Sequence, residues 1–151
     1  MTKITPPKLQ AAFDALMSLT NKDKEGTFVF KSSTRIRLGT NLRKVRDLLR
    51  EIMVEQDELV RRHGSENPEK PGEWSVAAKS DKRPDFDRDL AELMKAELDI
   101  DIQTISNDDL FNKRMVKSRD DKGQVSENEA ENQIGFDTIA DLQAAGLLST
   151  E

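Results

Sequence analysis

Six apolar residues, Leu38, Leu42, Val45, Leu49, Ile52 and Leu59, fall at alternating steps of four and three, with Gln56 filling the one polar rung between them. On an α-helix that spacing draws a single narrow seam, and a seam of that shape must be covered by another helix. The segment from Ser32 or Ser33, either of which can cap it, to Arg62 is therefore predicted to be one helix of about 30 residues and about 45 Å. His63-Gly64 closes it, with Gly64 free to take a left-handed cap. Phe28, Phe30, Ile36 and Leu38 also share a strand-like parity, and Gly39-Thr40-Asn41 has poor helix propensity. A β-hairpin followed by a helix from Thr40 is thus the competing arrangement. The unbroken phase of the seam through Gly39 favours the single helix. Such a pattern specifies packing, not chemistry.

The remaining elements follow from shorter signals. Thr5 before Pro6 and Pro7 marks a helix start, and Leu9, Phe13 and Leu16 with Ala12 beside them give it one apolar face. This helix should end near Leu19, before the polar turn Asn21 to Gly26, and Phe28 to Phe30 should be a short extended piece. Residues 65 to 84, with Pro68, Pro71, Gly72 and Pro84, read as a linker-like insertion in which Trp74 and Val76 form a small strand or a lid. Pro84 opens a further helix bearing Phe86, Leu90, Leu93 and Met94. Leu98-Asp-Ile-Asp-Ile102 alternates strictly, the clearest strand signal in the chain, with Leu98, Ile100 and Ile102 facing the core. Ser106 to Asp109 should cap a helical turn through Leu110 and Phe111. Residues 119 to 132 read as a mobile loop. Ile134 and Phe136 are candidates to pair with the acidic strand, and Thr138 to Ala145 make a last helix stopped by Gly146.

A chain of 151 residues has room for one domain with a real core. Its net charge of −5 hides an asymmetry: residues 1 to 64 carry 13 Lys and Arg against 8 Asp and Glu, whereas residues 65 to 151 carry 11 against 21. Either the basic half has an anionic partner or the two halves attract each other. The basic residues concentrate on the long helix, where Arg35, Arg37, Arg43, Lys44, Arg46 and Arg50 spread along the arc beside the seam. A row of arginines can neutralise phosphates without reading sequence. The plainer expectation is a solvated flank that meets the chain's own acidic residues. No tyrosine occurs, and the single tryptophan lies outside the basic stretch.

Signals for catalysis are weak. There is no cysteine, hence no disulfide and no thiolate site, and a lone His63 cannot complete the common zinc sets; at the end of a helix it complements the dipole. Asp99 and Asp101, followed by Asp108 and Asp109, place carboxylates on one side of the acidic strand, where a pair can hold Mg²⁺. No phosphate-cradling glycine loop accompanies them, and alternating aspartates on an edge strand also discourage edge-to-edge aggregation. Trp74 beside Pro71-Gly72 reads as a plug for the chain's own core, or as an anchor for a partner. No metal, cofactor or catalytic residue is expected. With no apolar run of signal-peptide or membrane-spanning kind, the chain is expected to be soluble, not secreted by a cleaved signal and not membrane-bound.

The order of pieces is similar to that of an uncharacterised family of small bacteriophage proteins. The resemblance rests on the Leu9-x-x-x-Phe13 helix, the basic Leu38-Gly-Thr-Asn-Leu-Arg-Lys-Val45 run leading into a long helix with Arg61-Arg62, the Phe86 to Ile102 helix and acidic strand, and the final Leu-rich helix. It covers most of residues 8 to 148. This chain differs by its longer insertion at 65 to 84 and its polar segment at 119 to 132. The resemblance implies phage origin and no known enzyme activity, and it transfers no functional residues.

Together these readings predict an α+β domain, predominantly α: a long helical hairpin, a third helix and a small antiparallel sheet near residues 98 to 136. The expected role is a non-enzymatic phage accessory or assembly protein acting through protein contacts, with homo-oligomerisation along the seam as one route. A nucleic-acid-binding accessory using the basic face and an inhibitor of a host defence enzyme are the alternatives. The expected location is the infected host's cytoplasm or the virion.

Overall fold

A 32-residue helix organises the molecule. The computed structural model describes residues 1–149, and in chain order the elements are β1 (Thr2–Ile4), α1 (Pro6–Lys24), α2 (Ser32–His63), β2 (Ser65–Glu66), β3 (Trp74–Ser75), α3 (Arg83–Lys95), β4 (Leu98–Ile100), α4 (Asn107–Phe111), β5 (Arg114–Arg119), β6 (Val125–Ala130) and α5 (Phe136–Ala144). The fold is α+β and predominantly α. In place of one small sheet there are three separate two-stranded antiparallel ribbons, β1–β4, β2–β3 and β5–β6.

α2 runs unbroken through Gly39-Thr40-Asn41, so the hairpin alternative does not hold. The seam divides by heptad position. Leu38, Val45, Ile52 and Leu59, seven residues apart, are buried, whereas Leu42, Leu49 and Gln56 on the adjoining line are half-buried. At 19 residues, or about 28 Å, α1 can cover only part of a helix of about 48 Å. It packs antiparallel on the first two-thirds of α2, burying Leu9, Ala12, Leu16 and Leu19, and its opposite side meets α5. The bidentate pair from Arg35 to Asp23, at 2.8 and 3.0 Å, closes the end of this helical hairpin.

The rest of the seam is covered by the chain between residues 83 and 109, which travels back along α2. Its contacts descend in order: Asp89 with His63, Leu93 beside Ile52, Leu98 beside Leu48, Asp101 with Lys44, Gln103 with Asn41, and Asp109 with Arg37. The chain thus covers much of its own seam: Leu38, Val45, Ile52 and Leu59 are buried, while Leu42 and Leu49 keep partial exposure.

One polar residue fixes the register of this return. Asn41, fully buried in mid-helix, donates from Nδ2 to Gln103 O and accepts at Oδ1 from Gln103 N, both at 2.8 Å. A side-chain amide here replaces a β-strand partner. Asn132 does the same for Val29, accepting from its N–H and donating to its carbonyl at 2.9 Å, while Asn112 donates to that carbonyl as well. These clips hold the 28–30 segment, whose Phe28 and Phe30 are buried edge to face, in an irregular path instead of a strand.

Several local expectations are corrected. α1 continues past Leu19 to Lys24, and Thr5 makes no side-chain cap. Lys31, not a serine, precedes the first turn of α2. Gly64 is extended (φ −108°), not left-handed; glycine is needed there because a Cβ would collide with Ser75 O and Val60 O. β4 pairs with the N-terminal β1, Ile4 opposite Leu98, and not with Ile134 or Phe136. Residues 119 to 132 lie mostly in the β5–β6 ribbon instead of a loop, their turn built on Asp120 and on Gly123 at φ +77°. Ser106 does cap its helix, accepting from Asp109 N, and Gly146 (φ +74°) ends α5 as expected.

Replacing Asn41 with Leu should cost about 2–4 kcal/mol, since Gln103 N–H and C=O lose both partners in a partly buried site. Thr34, whose hydroxyl is the one buried side-chain polar atom without a hydrogen-bond partner among the described residues, should behave oppositely, Thr34→Val gaining about 1 kcal/mol. Urea unfolding with an unchanged slope checks both.

Candidate functional site

The six basic residues separate into two groups. Arg35 is bonded to Asp23, Arg37 lies 4.0 Å from Asp109, which Lys31 also approaches at 4.0 Å, and Lys44 lies 3.4 Å from Asp101. Those bases face the chain's own acids. Arg43, Arg46 and Arg50 instead point outward, all exposed. Arg43 reaches only Thr40 Oγ1, Arg50 has Asp47 at 3.7 Å, and Arg46 has no ion pair among the described residues. The guanidinium pKa of Arg35 is raised by its hydrogen bonds to Asp23.

The paired carboxylates do not converge on a shared site. Asp99 is held by Lys3 at 3.2 Å and Asp101 by Lys44, one partner each on different elements. No group of three or more His, Asp or Glu able to hold a metal occurs among the described residues.

His63 meets Asp89 instead of standing as an isolated dipole cap: Nε2 and Oδ2 are 2.8 Å apart, with Phe86 edge-on to the imidazole. His63 itself lines a cleft of about 200 Å³ together with Ser65, Ser75 and Ser80. No serine hydroxyl is hydrogen-bonded to the ring among the described residues, so the dyad has no positioned nucleophile. The pair fastens the middle of α3 to the end of α2. The hydrogen bond from His63, aided by Arg88, lowers the Asp89 pKa from the usual carboxylate range.

What the surface does offer is apolar area. A groove of about 340 Å³ between α2 and the α3–β4 corner is lined by Leu48, Ile52, Val54, Leu93 and Leu98, with Glu51 and Glu55 among them. A second, of about 310 Å³, has Leu49, Met53 and Met94 facing Pro6 and Pro7. Trp74 is 38% exposed on β3, so it is not the core plug expected of it. The β5–β6 ribbon is exposed along both strands, including Met115, Val116 and Val125, and Phe136 just beyond it is 91% exposed.

Sequence reasoning missed these last features for different reasons. Asp120-Asp-Lys-Gly123 is a readable turn signal, but the acidic strand after it lacks β-formers. Phe136 opens α5 directly after Gly135 instead of pairing as a strand residue. Asn41 and Asn132 carried no signal beyond weak helix propensity.

No protein-family model, curated protein or solved structure matches the chain. No described helix is long and apolar enough to cross a membrane.

The Asp89 carboxyl should titrate below ordinary aspartates and move back up in His63→Ala. Because a lowered carboxylate pKa stabilises above the unfolded value and is lost as pH falls through the folded one, the variant should lose stability at neutral pH and show less acid sensitivity. Carbon-detected NMR titration of Asp89 reads the shift; equal Asp89 titration in both proteins would contradict it.

Proposed function

We propose that this chain is a non-enzymatic accessory or assembly protein that acts by docking another protein on its β5–β6 ribbon and Phe136. The observation that carries the reading is the ribbon's isolation. Two strands alone are marginally stable in water, and here neither face is covered by the body of the protein. The ribbon leaves Met115, Val116 and Val125 in solvent, and Phe136 presents a whole aromatic ring there. Exposed large side chains grouped on a projecting element are what a protein partner buries as its central anchors. Cross-strand pairs keep the ribbon in shape meanwhile, with Lys117 3.6 Å from Glu127 and the Ser118 and Ser126 hydroxyls 3.0 Å apart.

The resemblance of residues 8 to 148 to small bacteriophage proteins supports a phage setting for that work. A phage structural protein would make the role assembly, and a host enzyme would make it inhibition. The three outward arginines favour a second reading, a nucleic-acid-binding accessory. Its support is smaller, because four of the seven bases from Lys31 to Arg50 face the chain's own aspartates.

A photo-crosslinking side chain at position 136 should give one discrete protein adduct in cells making the full set of partners, lost on changing Met115 and Val125 to Asp, and absent from the same probe placed at Lys8. Equal labelling at 136 and Lys8 would refute the docking role. Retention on DNA that falls between about 50 and 200 mM salt with a log–log slope near −3, and vanishes when Arg43, Arg46 and Arg50 become Glu, would establish the nucleic-acid reading instead.

A further inference from the structure

The groove between α2 and the α3–β4 corner, lined by Leu48, Ile52 and Leu93 among others, does not end at Glu55. A cleft of about 270 Å³ shares Glu55 and Leu93 with it and continues past Leu59 to Arg62. Along α2 the two together span residues 48 to 62, about 21 Å. Their charge is mainly of one sign. Glu51, Glu55 and, on α3, Glu92 line them; all three are exposed, and none has an ion pair among the described residues. Asp89, the fourth acid, is held by His63 and Arg88. Nearby bases are occupied in turn: Lys44, one turn before Leu48, by Asp101, and Arg88 by Asp85 and Asp89. Arg62 is the one base in the lining, and it stands at the far end.

We propose that this groove takes a basic amphipathic helix of a partner protein, about 14 residues long. Its apolar side chains rest on Leu48, Ile52 and Leu93, and its Lys or Arg residues stand beside Glu51, Glu55 and Glu92. The unpaired acids argue against phosphate-rich occupants, since a nucleic acid or an anionic lipid surface would set like charges together. A second copy of this chain does not supply the segment. Its basic helix is the first half of α2, where the apolar stripe is buried and Ile36 is the one large apolar side chain exposed. An extended peptide would press unpaired N–H and C=O groups against apolar side chains. A helix satisfies its own backbone, and its side-chain ridges fit the channel between two other helices. Arg62 gives the site a direction: the occupant's basic residues belong at the Glu51 and Glu55 end, away from it. The groove is built from different elements than the β5–β6 ribbon, so it stands independently of the docking role proposed there.

NMR titration of the full, methyl-labelled chain with synthetic 14-residue peptides tests this. The probe is an amphipathic helix with Leu along one face and Lys along the other. Its controls are a scrambled peptide of the same composition and a Leu and Glu peptide of the same pattern. The Leu and Lys helix should bind with a dissociation constant on the order of 10 μM. It should move the methyl signals of Leu48, Val54, Leu93 and Leu98 and leave those of Met115, Val116 and Val125 in place. Both controls should bind at least about tenfold more weakly. Glu51→Lys, Glu55→Lys and Glu92→Lys together, all at exposed positions, should weaken binding of the probe at least about tenfold. Val54→Asp separates the groove from charge alone. It adds an acid but removes apolar contact, so binding in the groove weakens about threefold, whereas simple attraction would strengthen it. Should the triple variant fail to fold, Val54→Asp and the scrambled peptide carry the same decision. Equal affinity for the scrambled peptide, tighter binding by Val54→Asp, an unmoved dissociation constant in the folded triple variant, shifts at the ribbon instead of the groove, or no binding at about 1 mM peptide would each overturn the proposal.

Discussion

Burial of one stripe of α2 is the constraint on which the rest of the molecule rests. Leu38, Val45, Ile52 and Leu59 repeat every seven residues and all sit within a tenth of full burial. Each contributes about 1.5–3 kcal/mol when removed from water, far more than any ion pair on the same helix. α1 is too short to cover the stripe alone. A second cover is therefore obligatory, and the chain between Arg83 and Asp109 provides it. Apolar contact is indifferent to small sliding, so it cannot set where that cover stops. Asn41 does so: two hydrogen bonds to a single residue, Gln103, are lost together if the return slips by one position. The apolar stripe supplies the magnitude and Asn41 the register.

That arrangement also decides what the charges are for. A basic helix beside an acidic C-terminal half invites an account in terms of phosphates, yet the return path lays Asp101 beside Lys44, and Asp109 within 4.0 Å of Lys31 and Arg37. These pairs are exposed and individually weak. Their weight lies in specificity, since a shifted return would set like charges against one another. Within the basic stretch, Arg43, Arg46 and Arg50 on the far side of the helix instead point to solvent. The return path likewise covers much of the seam, while Leu49 and Ile52 still line grooves open to solvent.

How far the sequence foretold this depends on whether a segment buries its own apolar side chains. α2 was legible because its stripe is packed, and α3 and α5 were legible for the same reason joined to Pro84 and Gly146. β4 was recognised by its alternation, but its partner was not. Thr2–Ile4 is three residues long, too short to show a period, and Ile4 alone is buried there. The basic residues were counted correctly, while their partners, 57 residues away in the case of Lys44 and Asp101, are set only by the tertiary return. Asn41 read as a weak point of the helix. In the folded protein that same low propensity accompanies the residue that ties the helix to its cover.

The same logic explains why the surfaces with the strongest claim to function were the hardest to see. Periodicity records burial, and a segment exposed on both faces has nothing internal to bury. The β5–β6 ribbon therefore carries Glu, Asn and Ser where a packed strand would carry Val and Ile, and its few apolar residues fall on both faces: Val116 on one, Met115 and Val125 on the other. A two-sided distribution of that kind cannot come from packing against the body of the protein, which would select one face. Phe136, 91% exposed at the head of α5, is likewise an aromatic ring that the core does not use.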